Sequence, residues 1–195
     1  MEQLIFDAIL KKIQQEPKPQ PRPKTDIKQI VDLAANAAIN KGLIWEHGEL
    51  EAAAMDAIFN CPGALLMGKK GTGKTLCLEL AAKIWGYYRG KYGFISTEKL
   101  SLKYSQIGSE AILNLDRIPL FLDDLGIEEP SYNSYGNKID AISTLLLMRY
   151  ENKAPTFCTT NLNIEQLTER YGDRLSDRFK QMFKIVLFTG ESKRK

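Results

Sequence analysis

Eight consecutive residues carry the densest chemistry in this chain: Gly68-Lys69-Lys70-Gly71-Thr72-Gly73-Lys74-Thr75. Their types and order are those of a complete phosphate-binding loop. Glycines let the backbone turn tightly, so successive N–H groups point inward, and a following helix adds the partial positive charge of its N-terminus. Lys74 is placed to reach the outer phosphates of a nucleotide and the Thr75 hydroxyl to ligate a magnesium ion, with Leu76 leading on into the helix. A second cluster is Asp123-Asp124, where the apolar run from Ile118 to Leu122 ends abruptly in two acids. That is costly unless the carboxylates emerge at a strand's C-terminal edge, where phosphates also lie. Asp123 then suits a magnesium ion, mainly through its water shell, and Asp124 suits an attacking water. A third candidate is Asn161, whose amide follows the strand-like Thr156-Phe157-Cys158-Thr159-Thr160 and suits positioning that water and sensing the third phosphate. Arg174 and Arg178, four apart, share one helix face and suit delivery of a guanidinium to a neighbouring subunit's nucleotide. Each motif alone has a plainer counterpart: a Gly/Lys-rich turn, an Asp-Asp turn, a strand end, a pair of surface salt bridges.

The flanking residues supply elements that could position these groups. Leu65, Leu66 and Met67 suit a buried strand before the loop; Leu76, Leu80, Ile84 and Tyr88, with Cys77, Ala81 and Trp85 one position over, suit a helix after it. Strands are expected near residues 64–67, 93–96, 118–123, 155–160 and 184–188. Helices are expected over 26–41, 46–60, 98–104, 110–115, 137–152 and 165–171, with another beginning at 172–179. The segment 127–136 is polar, aromatic and turn-forming. Residues 1–15 place Ile5, Ala8, Ile9 and Ile13 on one face of an amphipathic helix that suits either a partner or the main domain. Pro17, Pro19, Pro21 and Pro23 make residues 16–24 an extended linker, leaving 25–195 as the main domain. Gly42-Leu43-Ile44 is a candidate contact on the base side of a nucleotide.

Composition bounds the rest. The 195 residues suffice for one well-buried domain with a small appendage, and 44% hydrophobic with 26% charged residues is ordinary for a globular chain. No apolar stretch approaches the ~18 residues of a membrane span, and no signal-peptide pattern opens the chain, so a cytoplasmic location without membrane contact is expected. Cys61, Cys77 and Cys158 are scattered and apolar in setting, as expected of core thiols in a reducing compartment. His47, the only histidine, has no ligand partner nearby in sequence. The net charge of +3 does not by itself indicate nucleic acid.

Taken in order, the phosphate loop, Asp123-Asp124, Thr159-Thr160-Asn161 and the Arg174/Arg178 segment resemble an AAA+ ATPase, more narrowly the DnaC/IstB-type subfamily of bacterial helicase loaders and transposition helper ATPases. The resemblance covers roughly residues 43 to 194. It implies a three-layer α/β P-loop NTPase fold, with a five-stranded mostly parallel sheet in the order 5-1-4-3-2 and no C-terminal helical lid. By it, Lys74 and Thr75 match Walker A, Asp123 and Asp124 match Walker B, and Asn161 matches the first sensor. Arg178 matches the arginine finger, with Arg174 in support, and Arg194 matches a second sensor. ATP and Mg2+ are the implied cofactors, and a finger acting in trans implies a homo-oligomer. Asp124 stands where many AAA+ enzymes carry glutamate, and its shorter reach bears on hydrolysis rate rather than binding.

The resemblance implies an ATP-dependent loader or remodeller of a replicative helicase on single-stranded DNA. Lys99, Lys103, Tyr104, Tyr132 and Tyr135 are the candidate DNA contacts, since lysines neutralise phosphates and aromatics stack on bases. The alternative is a transposition helper that coats duplex DNA and recruits a transposase. A small-molecule kinase would leave Asn161 and Arg178 without a purpose. A nucleotide-gated switch with little hydrolysis is the remaining reading.

Overall fold

Leu65, Leu66 and Met67, and later Phe121 and Leu122, form apolar runs with no polar face, which suits strands covered on both sides. The computed structural model places both runs in interior strands of a five-stranded sheet. It describes residues 25–40, 48–129, 132–134, 137–190 and 192, with 132–134 and 137–139 described by backbone alone. The elements are α1 (Ile27–Ile39), α2 (Glu49–Asn60), β1 (Gly63–Gly68), α3 (Lys74–Arg89), β2 (Gly93–Ser96), α4 (Thr97–Ile107), α5 (Glu110–Leu113) and β3 (Leu120–Leu125). They continue with β4 (Tyr132–Ser134), β5 (Asn137–Ile139), α6 (Ala141–Glu151), β6 (Thr156–Thr160), α7 (Ile164–Tyr171), α8 (Asp173–Met182) and β7 (Lys184–Phe188).

The sheet order is β2-β3-β6-β1-β7, which is 5-1-4-3-2 when its five strands are numbered among themselves. All four pairings are parallel, with Leu65 beside both Cys158 and Ile185, and Phe121 beside both Phe94 and Phe157. Because every strand runs the same way, Gly68, Asp123, Asn161 and Ser96 gather at one edge. Alternation along each strand divides the core. Leu66, Phe121 and Phe157 face α1, α2 and α3, while Leu65, Leu122 and Cys158 face α4, α6, α7 and α8. The result is the expected three-layer α/β fold. On the first face the Trp85 ring packs 5.7 Å from Phe59, 5.9 Å from Phe121 and 5.1 Å from Phe157. On the second, fully buried Arg149 donates from Nε to Thr156 Oγ1 (2.9 Å) and from Nη2 to the Pro155 carbonyl (2.5 Å), with the Leu115 carbonyl on Nη1. Burial lowers that guanidinium to about 10, so it remains charged at neutral pH while tying α6 to the start of β6.

Several elements differ from the sequence expectation. Residues 137–139 do not begin a helix but pair antiparallel with Tyr132–Ser134, and α6 starts at Ala141. Asp140 explains the boundary: its Oδ1 accepts from the Ile142 and Ser143 N–H groups, both at 3.0 Å, and stops the helix from extending backward. β3 begins at Leu120 and runs on through both acids to Leu125, so Asp123 and Asp124 lie within the strand. α4 runs to Ile107, three residues past Tyr104, and α8 runs to Met182. Tyr88 is 48% exposed, and the buried stripe of α3 is carried instead by Cys77, Leu78, Leu80, Ala81, Ala82, Ile84 and Trp85. The expectations for residues 1–15, the linker 16–24, Gly42-Leu43-Ile44, His47, Tyr135, the Tyr132 side chain and Arg194 lie outside the described residues. Among the described residues no helix is long and apolar enough to cross a membrane.

Candidate nucleotide site

The loop between β1 and α3 wraps around the Lys74 side chain. Lys74 Nζ donates to the carbonyls of Gly68 (2.8 Å) and Lys69 (2.7 Å) and to Asn161 Oδ1 (3.0 Å), and the residue is only 5% exposed. Thr72 Oγ1 closes the loop by donating to the Lys69 carbonyl at 3.0 Å. Gly71 has φ +85°, and a Cβ there would lie 2.1 Å from Ser192 Oγ. Both observations require glycine, and the second places the segment after β7 directly against the loop.

Asp123 faces the other side of the loop. Its Oδ1 accepts from Thr75 Oγ1 (3.1 Å) and from Thr159 Oγ1 (2.6 Å). Burial raises the Asp123 carboxyl above the ordinary range. The Thr159 hydrogen bond opposes that rise, the neighbouring Asp124 charge adds to it, and the Thr75 hydroxyl opposes it again. A hard divalent cation suits this pair of oxygen donors. Among the described residues no cluster of three His, Cys, Asp or Glu side chains could hold a metal alone. A magnesium ion on Thr75 and Asp123 would therefore complete its shell with phosphate and water oxygens.

At Asp124 the strand departs from regular geometry. Its φ is +58°, and the pairing of β3 with β6 shifts register between Leu122 and Leu125. Two contacts fix this left-handed residue: its N–H donates to Thr159 Oγ1 (2.8 Å) and its carbonyl accepts from Thr97 Oγ1 (2.7 Å). Asn161 then links the two halves of the site. Its Oδ1 accepts from Lys74, and its Nδ2 donates to Asp124 Oδ1 at 3.3 Å. Since lysine only donates and a carboxylate only accepts, one orientation of the amide satisfies both.

The structure thus brings Lys74, Thr75, Asp123, Asp124 and Asn161 together at the C-terminal edge of the sheet. Arg178 does not join them. Arg174 is exposed on α8, and the Arg178 guanidinium lies 5.0 Å from the Tyr150 ring centroid. Tyr150 lines a cavity of about 430 Å³ with Pro62, Lys153 and Ala154, residues that lead into β1 and β6, at the opposite edge of the sheet. Tyr104 is 6% exposed in the core, so it is not available to a base, whereas Lys99 and Lys103 are exposed one turn apart on α4.

No protein-family model matches the chain. Over 132 residues it is 32% identical to the replicative helicase loader DnaC of Escherichia coli K12, covering 62% of this chain and 51% of that protein. The chain spans about half the length of the curated relatives it matches. Its fold is similar to the crystal structure of DnaI, with a TM-score of 0.57 and 22% identity over 92% of this chain and 88% of that one. It is also similar to the crystal structure of the DnaC helicase loader, with a TM-score of 0.53 and 21% identity over 85% and 92%. The chain thus resembles the loader DnaC in sequence and shares the fold of DnaI and DnaC. A third similar structure is the replication initiator DnaA bound to AMPPCP and single-stranded DNA, with a TM-score of 0.52 and 15% identity over 75% and 48%.

Within this DnaC-like fold, three groups hold the acid turn in roles that the sequence did not reveal. Thr159 and Thr97 hold the Asp123–Asp124 turn, and Glu128 accepts the Gly126 N–H at 3.0 Å just beyond it. Thr159 sits two residues before Asn161, facing the acids across the β3–β6 pairing. The doubled threonine before the asparagine was its visible signal. Thr97 and Glu128 carried none, because only the sheet places them against the turn.

Proposed function

We propose that this chain binds and hydrolyses ATP with Mg2+ and uses the cycle to load or remodel a replicative helicase on single-stranded DNA. The observation that carries the ATPase reading is the Lys74–Asn161–Asp124 chain, which joins the phosphate loop to a carboxylate suited to water. The similarity to the loader DnaC carries the helicase reading, and the DNA-bound DnaA neighbour supports single-stranded DNA.

In the cycle we infer, phosphates enter the Gly71–Thr75 turn and meet its backbone N–H groups and the start of α3. Lys74 exchanges its carbonyl acceptors on Gly68 and Lys69 for phosphate oxygens, a charge-assisted gain that begins from a site already desolvated. Thr75 and Asp123 are the residues that would hold Mg2+, which when bound supplies charge neutralisation across the outer phosphates. Asp124 orients the attacking water, and Asn161 reports on the third phosphate because it touches both Lys74 and Asp124. The water-facing carboxylate is one methylene shorter than glutamate, so slow turnover follows. Arg178, at the far edge of the sheet, serves a neighbouring subunit and makes turnover depend on assembly.

ATP turnover measured without DNA, with single-stranded DNA and with duplex DNA tests this reading. Turnover that rises with protein concentration and with single-stranded DNA, and is lost in Lys74→Ala and Arg178→Ala, is the expected result. Stimulation by duplex alone would favour the transposition-helper reading. Absence of nucleotide binding by the unaltered protein would refute both.

A further inference from the structure

Four residues beyond Asp124, Glu128 is 3% exposed with its side chain wholly buried. Its carboxylate accepts from three places: the Gly126 N–H (3.0 Å), Arg170 Nη2 (3.1 Å) and the Tyr171 hydroxyl (2.5 Å). Arg170 Nη2 also donates to the Glu128 carbonyl at 2.6 Å. Burial and the adjacent carboxylate push the Tyr171 hydroxyl well above its ordinary range, so it stays a donor at any working pH. Desolvating a carboxylate and a guanidinium costs so much that apolar residues of similar volume often serve stability as well. The value of this arrangement therefore lies in the geometry it specifies.

That geometry connects two distant parts of the chain. Gly126, with φ +98°, is pressed against Leu162, the residue after Asn161, so closely that a Cβ would meet the Leu162 side chain at 2.4 Å. On the other side, Arg170 and Tyr171 end α7. The Tyr171 ring packs edge-on against Phe179 of α8 at 5.9 Å, and the Thr168 and Ser176 hydroxyls bridge the same two helices at 2.6 Å. Phe179 immediately follows Arg178.

We propose that Glu128 is a positioning residue: it fastens the turn bearing Asp124 to helices α7 and α8, and so couples the nucleotide site to the orientation of Arg178. The inference rests on the ATPase reading and deepens it. A shift of the Asp124–Gly126 turn upon nucleotide binding moves the buried carboxylate, and the Tyr171–Phe179 contact carries that displacement into α8. Arg178 then takes up its orientation toward the neighbouring subunit only when the home site is filled.

The test compares the full chain with Glu128→Gln, which preserves shape but not charge, and with Tyr171→Phe, which keeps the ring on Phe179 and removes one donor. AMPPCP with Mg2+ is titrated, ATP turnover is measured, and amide hydrogen exchange of residues 173–182 is followed with and without AMPPCP. We expect Glu128→Gln to lower turnover at least tenfold and Tyr171→Phe about threefold, with the AMPPCP dissociation constant unchanged within twofold in each. Arg178→Ala should then cost the Glu128→Gln protein a smaller factor than it costs the unaltered protein. Exchange in 173–182 should slow on AMPPCP binding in the unaltered protein and not in Glu128→Gln. Equal slowing in both proteins would overturn the coupling even if turnover were too slow to measure, as would AMPPCP affinity falling in step with turnover. A protein that binds no AMPPCP in its unaltered form refutes the ATPase reading and this inference with it.

Discussion

Replacing Thr159 by valine tests how the acid pair is held. The side chain keeps nearly the same shape, and valine is at home in a buried strand, so the change removes one hydroxyl and little else. That hydroxyl makes two bonds at once: it donates to Asp123 Oδ1 at 2.6 Å and accepts from the Asp124 N–H at 2.8 Å. The first is a hydrogen bond to a charged group, worth about 1.5–3 kcal/mol; loss of the second leaves a half-buried donor unpaired, at about 1–3 kcal/mol. The two losses share one atom and are not additive, so we expect a destabilisation of about 3 kcal/mol. For a domain of this size that is roughly 6–12 °C in Tm. Asp123 also loses the strongest influence that opposes the rise of its pKa, so its carboxyl rises further and the hold on Mg2+ proposed for it should weaken. Urea unfolding monitored by circular dichroism, without nucleotide, gives the stability change, and AMPPCP titration at varied Mg2+ gives the binding change. Thr159→Ser retains the hydroxyl and should recover most of both. A valine variant within about 0.5 kcal/mol of the parent, a range usual for changes that touch nothing important, would refute the bonding scheme.

Two further perturbations follow from the same site. Asp123→Asn removes a desolvated charge beside Asp124, so at neutral pH the nucleotide-free protein should melt at a higher temperature while Mg2+-dependent AMPPCP binding is lost. Because the folded pKa of Asp123 lies above its unfolded value, the folded chain takes up the proton first as pH falls. The Tm advantage of asparagine should therefore shrink as pH drops through that raised pKa, and an advantage that grows instead would contradict the assigned burial. Gly71→Ala forces a left-handed φ of +85° on a residue with a Cβ and drives it into Ser192. We expect a loss of about 1–2 kcal/mol from the backbone conformation alone, measured by urea unfolding, together with weaker AMPPCP binding. A neutral effect would mean that the loop can turn another way.

Those features that depend on short stretches of chain were legible in the sequence. The glycine-rich loop lies between an apolar run and a helical repeat, and the five strands appear as short apolar segments at nearly their final positions. What was hidden depends on pairs brought together from afar. Thr159 meets Asp123 across 36 residues and Glu128 meets Tyr171 across 43, and only strand register and helix packing close those gaps. The β4–β5 pairing was hidden for a different reason. Its second strand, Asn137-Lys138-Ile139, runs straight into the apolar spacing of α6, so Ile139 and Ile142 look like one helical face until Asp140 is recognised as the cap. Tyr104 shows the same ambiguity in reverse: an aromatic between exposed lysines suggests a base-stacking surface, but it lies one turn from Leu100 and shares its buried face of α4.

The separation of Arg178 from the acids bears on how the proposed ATPase would be controlled. The site at Asp124 and the stack of Arg178 on Tyr150 occupy opposite edges of a sheet whose strands of four to six residues span roughly 13–20 Å. A guanidinium side chain cannot bridge that distance within one subunit, so Arg178 has no route to the phosphates bound in its own loop. If it acts on ATP at all, it does so on the nucleotide of an adjacent copy. An isolated subunit would then bind ATP through Lys74 and still lack transition-state charge stabilisation, which predicts near-silent turnover at high dilution with binding intact. Mixing Lys74→Ala with Arg178→Ala protein decides the matter. Each variant alone should be inactive, but a mixed assembly contains some interfaces where an intact loop faces an intact arginine. Recovery of turnover on mixing would require action between subunits, whereas a mixture as silent as its components would show that Arg178 serves only to pack against Tyr150.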